Sequence, residues 1–79
     1  MKEIKLYGTG CGKTVATAAL VEEVAKELGI EVRLVKIENL ERIFQAGVMA
    51  NPGVVIEGQV VHQGSVPERA QVEAWLLGE

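Results

Sequence analysis

Two short runs of alternating apolar and polar residues, Lys2 to Tyr7 and Glu31 to Ile37, flank one stretch with helical spacing. In the first run Ile4 and Leu6 sit between lysine and glutamate; in the second Val32, Leu34, Val35 and Ile37 carry the apolar positions. A period of two marks a strand with one face buried. Between them, from Lys13 to Leu28, the residues Val15, Ala18, Ala19, Leu20, Val21, Val24 and Leu28 form a wide helical stripe, with Glu22, Glu23, Lys26 and Glu27 mostly opposite. Gly29 follows, where a helix C-terminus takes a residue tolerant of positive φ. Strand, helix and strand in this order pack in essentially one way. The helix crosses over right-handedly and the two strands become parallel neighbours.

The remainder must be added to that unit. Asn39 is placed to cap a short helix from Leu40 to about Ala46, with Leu40, Ile43 and Phe44 on one face and Gly47 at its end. Val54-Val55-Ile56 and Val60-Val61 are β-branched runs around Glu57-Gly58, which reads as a tight turn and hence an antiparallel hairpin. Ser65-Val66-Pro67-Glu68 offers a capping box and an early-helix proline for a last helix running to about Leu77, with Val72, Trp75 and Leu76 inward. The predicted order is β-α-β-α-β-β-α: an α/β fold with a four-stranded mixed sheet flanked by helices. With 79 residues the chain is expected to form a single domain over residues 1–79.

Composition narrows the function classes. Hydrophobic residues make up 48% and aromatics 4%, so the core is aliphatic. The formal net charge of -3, with no basic run, gives no electrostatic footprint for nucleic acid. A single cysteine cannot close an intramolecular disulfide, which excludes a disulfide-stapled scaffold. No apolar run approaches the ~20 residues of a membrane span, and Met1 to Gly8 has no apolar core of a signal peptide. A cytoplasmic setting without membrane attachment is expected.

The chemistry concentrates in the turn between the first strand and the first helix, Tyr7-Gly8-Thr9-Gly10-Cys11-Gly12-Lys13-Thr14. Gly12-Lys13-Thr14 looks like the end of a phosphate-binding loop. That loop, however, needs a glycine five residues before Gly12, and Tyr7 stands there; Gly8 is one residue too near. The Mg²⁺-binding carboxylate such sites require has only Glu38 as a candidate, which reads better as a solvated charge at a strand end. The alternative is a thiol site. Cys11 falls just before a helix, where unpaired backbone N–H groups and the helix dipole favour a thiolate. Lys13 adds a cation, and Gly10 and Gly12 leave the sulfur uncrowded. A buried structural cysteine would more often sit within a strand or a helix stripe.

The loop, the element order and the segment Gly47-Val48-Met49-Ala50-Asn51-Pro52, followed by its hairpin, together resemble the small thioredoxin-like proteins called redox-active disulfide protein 2. The resemblance covers nearly the whole chain and rests on Gly8, Thr9, Gly10 and Cys11, and on Gly47, Val48, Met49 and Pro52. It implies a thioredoxin-like fold and thiol–disulfide exchange with a protein thiol or disulfide partner. By the same resemblance Cys11 is the nucleophile. Pro52 is the cis-proline facing it, with Asn51 where the family usually has threonine, and the chain there pairs with an extended partner peptide. Gly10, Gly12, Asn51 and Pro52 are thus the expected partner-binding positions.

One departure matters. The second cysteine of the family's motif is replaced by Thr14, so the usual attack of a second thiol is missing. Cys11, assisted by Lys13 and by a hydrogen bond from Thr14, is then expected to act as a monothiol resolved by glutathione or another thiol. Two alternatives stay open. Cys11-Gly12-Lys13-Thr14 also resembles the Cys-Gly-x-Ser loop of monothiol glutaredoxins, which implies an iron–sulfur cluster or metal held across a homodimer. Or the chemistry is lost and a binding module remains. No metal site within one chain is expected, since one histidine and one cysteine are too few. His62 reads as a strand-end surface residue, Trp75 as core, and Met49 as either core filling or part of the Cys11 surface.

Overall fold

A computed structural model of the chain describes residues 2–9 and 12–78; Met1, Gly10, Cys11 and Glu79 lie outside the described residues. The elements are β1 (Lys2–Tyr7), α1 (Gly12–Leu28), β2 (Val32–Ile37), α2 (Leu40–Gln45), β3 (Gly53–Ile56), β4 (Gln59–Gln63) and α3 (Arg69–Leu77). The four strands form one sheet in the order β2-β1-β3-β4. β1 is parallel to β2 and antiparallel to β3, and β3 is antiparallel to β4. This is the predicted mixed sheet, with α1 and α3 on one face and α2 on the other.

The pleat explains the two layers. Ile4, Leu6 and Val54 point to the α1–α3 side and pack with Ala18, Val21, Val24, Ala25, Val72 and Leu76. Each fully buried aliphatic side chain there contributes about 1.5–3 kcal/mol relative to exposure. Tyr7, Ile37 and Val55 point the other way and meet Ile43 and Val48. Only the six residues of α2 and the loop that follows it, through Ile43 and Val48, cover that face near Tyr7 and Ile37, and Tyr7 is the strand end that leads into the cysteine loop. At the opposite end Lys2, Glu3, Lys5, Val55, Glu57 and Gly58 line an open groove of about 680 Å³.

Three local expectations change. In α1 the buried stripe is Thr14, Thr17, Ala18, Val21, Val24 and Ala25, while Val15 is exposed. Threonine serves as a core residue here because the Thr17 hydroxyl donates to the Lys13 carbonyl at 2.8 Å, leaving its methyl for the interior. In α2 only Ile43 is buried; Leu40 and Phe44 are 69% and 84% exposed. So short a helix packs through Ile43 and Ala46, and Asn39 caps it by accepting the Arg42 N–H at 3.0 Å. Before α3 the N-cap is Glu68 rather than Ser65. The Glu68 N–H donates to Gln71 Oε1 at 3.0 Å, completing a capping box three residues later than expected.

The β3–β4 turn places both Glu57 and Gly58 at positive φ (52° and 79°), as a two-residue hairpin whose twist matches its strands requires. Lys2 reaches across the sheet end, its Nζ donating to the Trp75 carbonyl in the last turn of α3, where a cation is favourable. On the surface Arg69 pairs with Glu27 of α1 and with Glu73. The Glu27 hydrogen bond, foremost, raises the guanidinium pKa above its ordinary value. Both partners are well exposed, so this pair links α1 to α3 weakly and is screened by salt. No described helix is long and apolar enough to cross a membrane.

Candidate functional site

The site lies where two loops meet at one end of the two central strands, β1 and β3. The first loop leaves β1 at Gly8 and enters α1 at Gly12. Gly10 and Cys11 of this loop fall outside the described residues, but their chain neighbours Thr9 and Gly12 are placed. The second loop, residues 48–52, descends from α2 into β3.

Gly8 sets how the first loop leaves the strand. It is buried, and a Cβ built on it would stand 2.4 Å from Thr14 Oγ1. The Thr14 side chain therefore lies directly against the Gly8 backbone, 6% exposed. Thus Thr14 is turned inward beneath the loop, while Lys13 and Gly12 are exposed. Gly12 needs no glycine for space: a Cβ there meets nothing within 4 Å. The steric requirement in this glycine-rich turn thus falls on Gly8 rather than Gly12.

The second loop is held low over the sheet by another absent side chain. A Cβ on Gly53 would stand 2.4 and 2.6 Å from the two methyls of Val48, which is buried. Tyr7, Gly53 and Gln63 form one cross-strand row. Because Gly53 leaves room, Val48 drops onto the row, and Gln63 beside it reaches up. Gln63 Oε1 accepts the Met49 N–H at 2.8 Å. The Asn51–Pro52 peptide is cis, and the Pro52 carbonyl accepts the Gly64 N–H at 3.0 Å. The Pro52 ring is fully buried, while Met49, Ala50 and Asn51 before it are exposed. Asn51 is exposed, and its Nδ2 donates to Thr9 Oγ1 at 3.3 Å, joining the two loops directly.

The expected residues are therefore brought to one end of the molecule: Gly12, Lys13 and Thr14 at the head of α1, and Asn51 and Pro52 across from Thr9. Met49 is 91% exposed, which settles it as surface rather than core. With Phe44, Gly47 and Val48 it lines an apolar hollow of about 370 Å³ beside the second loop. His62 is half-buried rather than a plain surface residue: it shares a hydrogen bond with Ser65 Oγ at 3.0 Å and lies 6.2 Å from the Trp75 ring. Among the described residues no group of three or more histidine, cysteine, aspartate or glutamate side chains could hold a metal. Thr9 belongs to the Gly-Thr-Gly-Cys run, but neither it nor Gln63 is a site residue expected from the sequence. Their partners lie 42 and 14 residues away.

The model of the thioredoxin domain matches residues 2–77. A thioredoxin of Methanothermobacter thermautotrophicus is 33% identical over 76 residues, which span 96% of this chain and 99% of that protein. A thioredoxin of Methanocaldococcus jannaschii is 32% identical over 76 residues, 96% of this chain and 87% of its own length. A second thioredoxin match from that organism is 37% identical over 67 residues, 81% of this chain and 79% of its own.

Proposed function

The chain belongs to the thioredoxin domain family, and on that premise we propose that it performs thiol–disulfide exchange through Cys11 alone, as a monothiol protein of the redox-active disulfide protein 2 type. The observation that carries this reading is positional. The only cysteine directly precedes Gly12, the first residue of a 17-residue helix with no acidic residue in its first turn. Thioredoxin-like proteins act on protein thiols or disulfides, and the relatives of this chain are named thioredoxins.

The chemistry balances with one protein thiol and one external thiol. The Cys11 thiolate attacks one sulfur of a partner disulfide. A new disulfide joins Cys11 to that sulfur, and the other partner sulfur leaves as a thiolate with the bonding electron pair, then takes a proton from water. An external thiolate, from glutathione or a second protein, attacks the partner sulfur of the mixed disulfide. Cys11 leaves as a thiolate, and the disulfide now joins the partner sulfur to the incoming thiol. Each step replaces one S–S bond by another. The partial positive charge at the N-terminus of α1 and the charge of Lys13 stabilise the thiolate as nucleophile and as leaving group. Asn51 and the backbone before Pro52 receive the extended chain that carries the disulfide.

Intact-mass measurement after incubation with oxidised glutathione tests the reading. One glutathione adduct is expected on the wild type, none on Cys11→Ser, and removal of the adduct by reduced glutathione. A folded wild type that takes up no glutathione would leave a binding module as the better description.

A further inference from the structure

We propose that Thr9 and Gln63 are positioning residues, which together set the gap between the cysteine loop and the partner-docking edge. The proposal deepens the exchange reading and rests on it. The second loop is tied from two sides. From below, Gln63 at the end of β4 accepts the Met49 N–H at 2.8 Å. From across the site, Thr9 accepts from Asn51 Nδ2 at 3.3 Å. Between these two ties lie Ala50 and the start of the cis peptide. Thr9 stands two residues before Cys11, so the chain of contacts runs from β4 through residues 49–51 to the loop that carries the thiol.

The two ties differ in what they can give up. The Met49 N–H is a backbone donor on a loop with an exposed side chain. Without Gln63 it turns to water, and the register offered to an extended partner is no longer single. The Thr9–Asn51 bond joins two exposed side chains. It adds little to folding but fixes the separation of Thr9 from the partner-docking edge. A small reagent that touches only the sulfur does not sense that span, whereas a peptide held on both loops does.

The experiment compares, for each variant, exchange with a disulfide-linked extended peptide against alkylation by iodoacetamide at one pH. Thr9→Val and Gln63→Met each remove one hydrogen bond and are expected to slow peptide exchange about three- to tenfold, the range one net hydrogen bond supports. The loss is expected in KM, with alkylation rates within about twofold of wild type, as expected if only the span has changed. Thr9→Ser and Gln63→Glu keep the acceptor oxygen and are expected to restore exchange, a rescue that a packing role would not give. Wild-type exchange with Thr9→Val and Gln63→Met unchanged, or equal losses in exchange and alkylation, overturns the positioning role alone. A wild type inert toward both the peptide and oxidised glutathione overturns the exchange reading and the positioning role with it.

Discussion

Thr14→Cys is expected to convert a protein that accumulates a mixed disulfide into one that resolves it unaided. Position 14 stands three residues after Cys11, where the resembled family carries its second cysteine. The side chain at 14 lies inward against Gly8, so a thiol placed there is sheltered from reagents in solution yet adjacent in sequence to the head of α1. It also replaces a β-branched residue of similar size, and little loss of packing is expected. Resolution becomes intramolecular. Even a modest effective molarity makes it about a hundredfold or more faster than attack by 1 mM external thiol. After oxidised glutathione the variant should show an internal disulfide and no lasting adduct, whereas the wild type keeps its adduct until an external thiol removes it. A folded variant that keeps the glutathione adduct would mean that position 14 cannot reach the sulfur.

Gly53→Ala is expected to destabilise the fold strongly. Its Cβ would overlap both methyls of Val48, and the Val48 Cβ at 3.1 Å blocks escape by rotation about χ1. Either β3 must shift from Tyr7 and Gln63, its register partners, or loop 48–52 must lift. Overpacking of this kind costs about 1–3 kcal/mol. For a domain of this size each kcal/mol lowers Tm by about 4–8 °C, so a fall of about 4–24 °C in a circular-dichroism melt is expected. Val48→Ala removes the obstructing methyls. The double variant should recover part of the loss, a coupling of about 1 kcal/mol or more between touching residues. Strict additivity, or a Gly53→Ala protein as stable as wild type, would contradict the close approach. Because Gly53 follows Pro52 directly, the same contact supports the docking edge, and partner exchange should weaken along with the fold.

The elements readable from the sequence were those with a strong period. β1 and β2 alternate cleanly, and their unit with α1 has one handedness. The hairpin was marked by two β-branched runs around Glu57-Gly58. What escaped were cases where neighbours rather than period decide. Thr14 and Thr17 are buried although polar; the Thr17 hydroxyl is satisfied by its own helix, which leaves its methyl free to pack, and Thr14 lies against Gly8. Leu40 and Phe44 are apolar yet exposed, because α2 is too short to present more than Ile43 and Ala46. For the site, Cys11, Lys13, Thr14, Asn51 and Pro52 stood out by type and resemblance. Gly8 and Gly53 owe their roles to what lies above them, and Thr9 and Gln63 to bonds made across long separations in the chain. No spacing rule encodes such contacts.

On the proposed exchange chemistry, Cys11 is expected to be a thiolate near neutral pH. The rate of Cys11 alkylation by iodoacetamide, followed by intact mass from pH 5 to 10, measures it directly. The expected midpoint lies clearly below the ~8.5 of a free thiol, with Lys13→Ala moving it upward. A midpoint at or above that value would contradict the account.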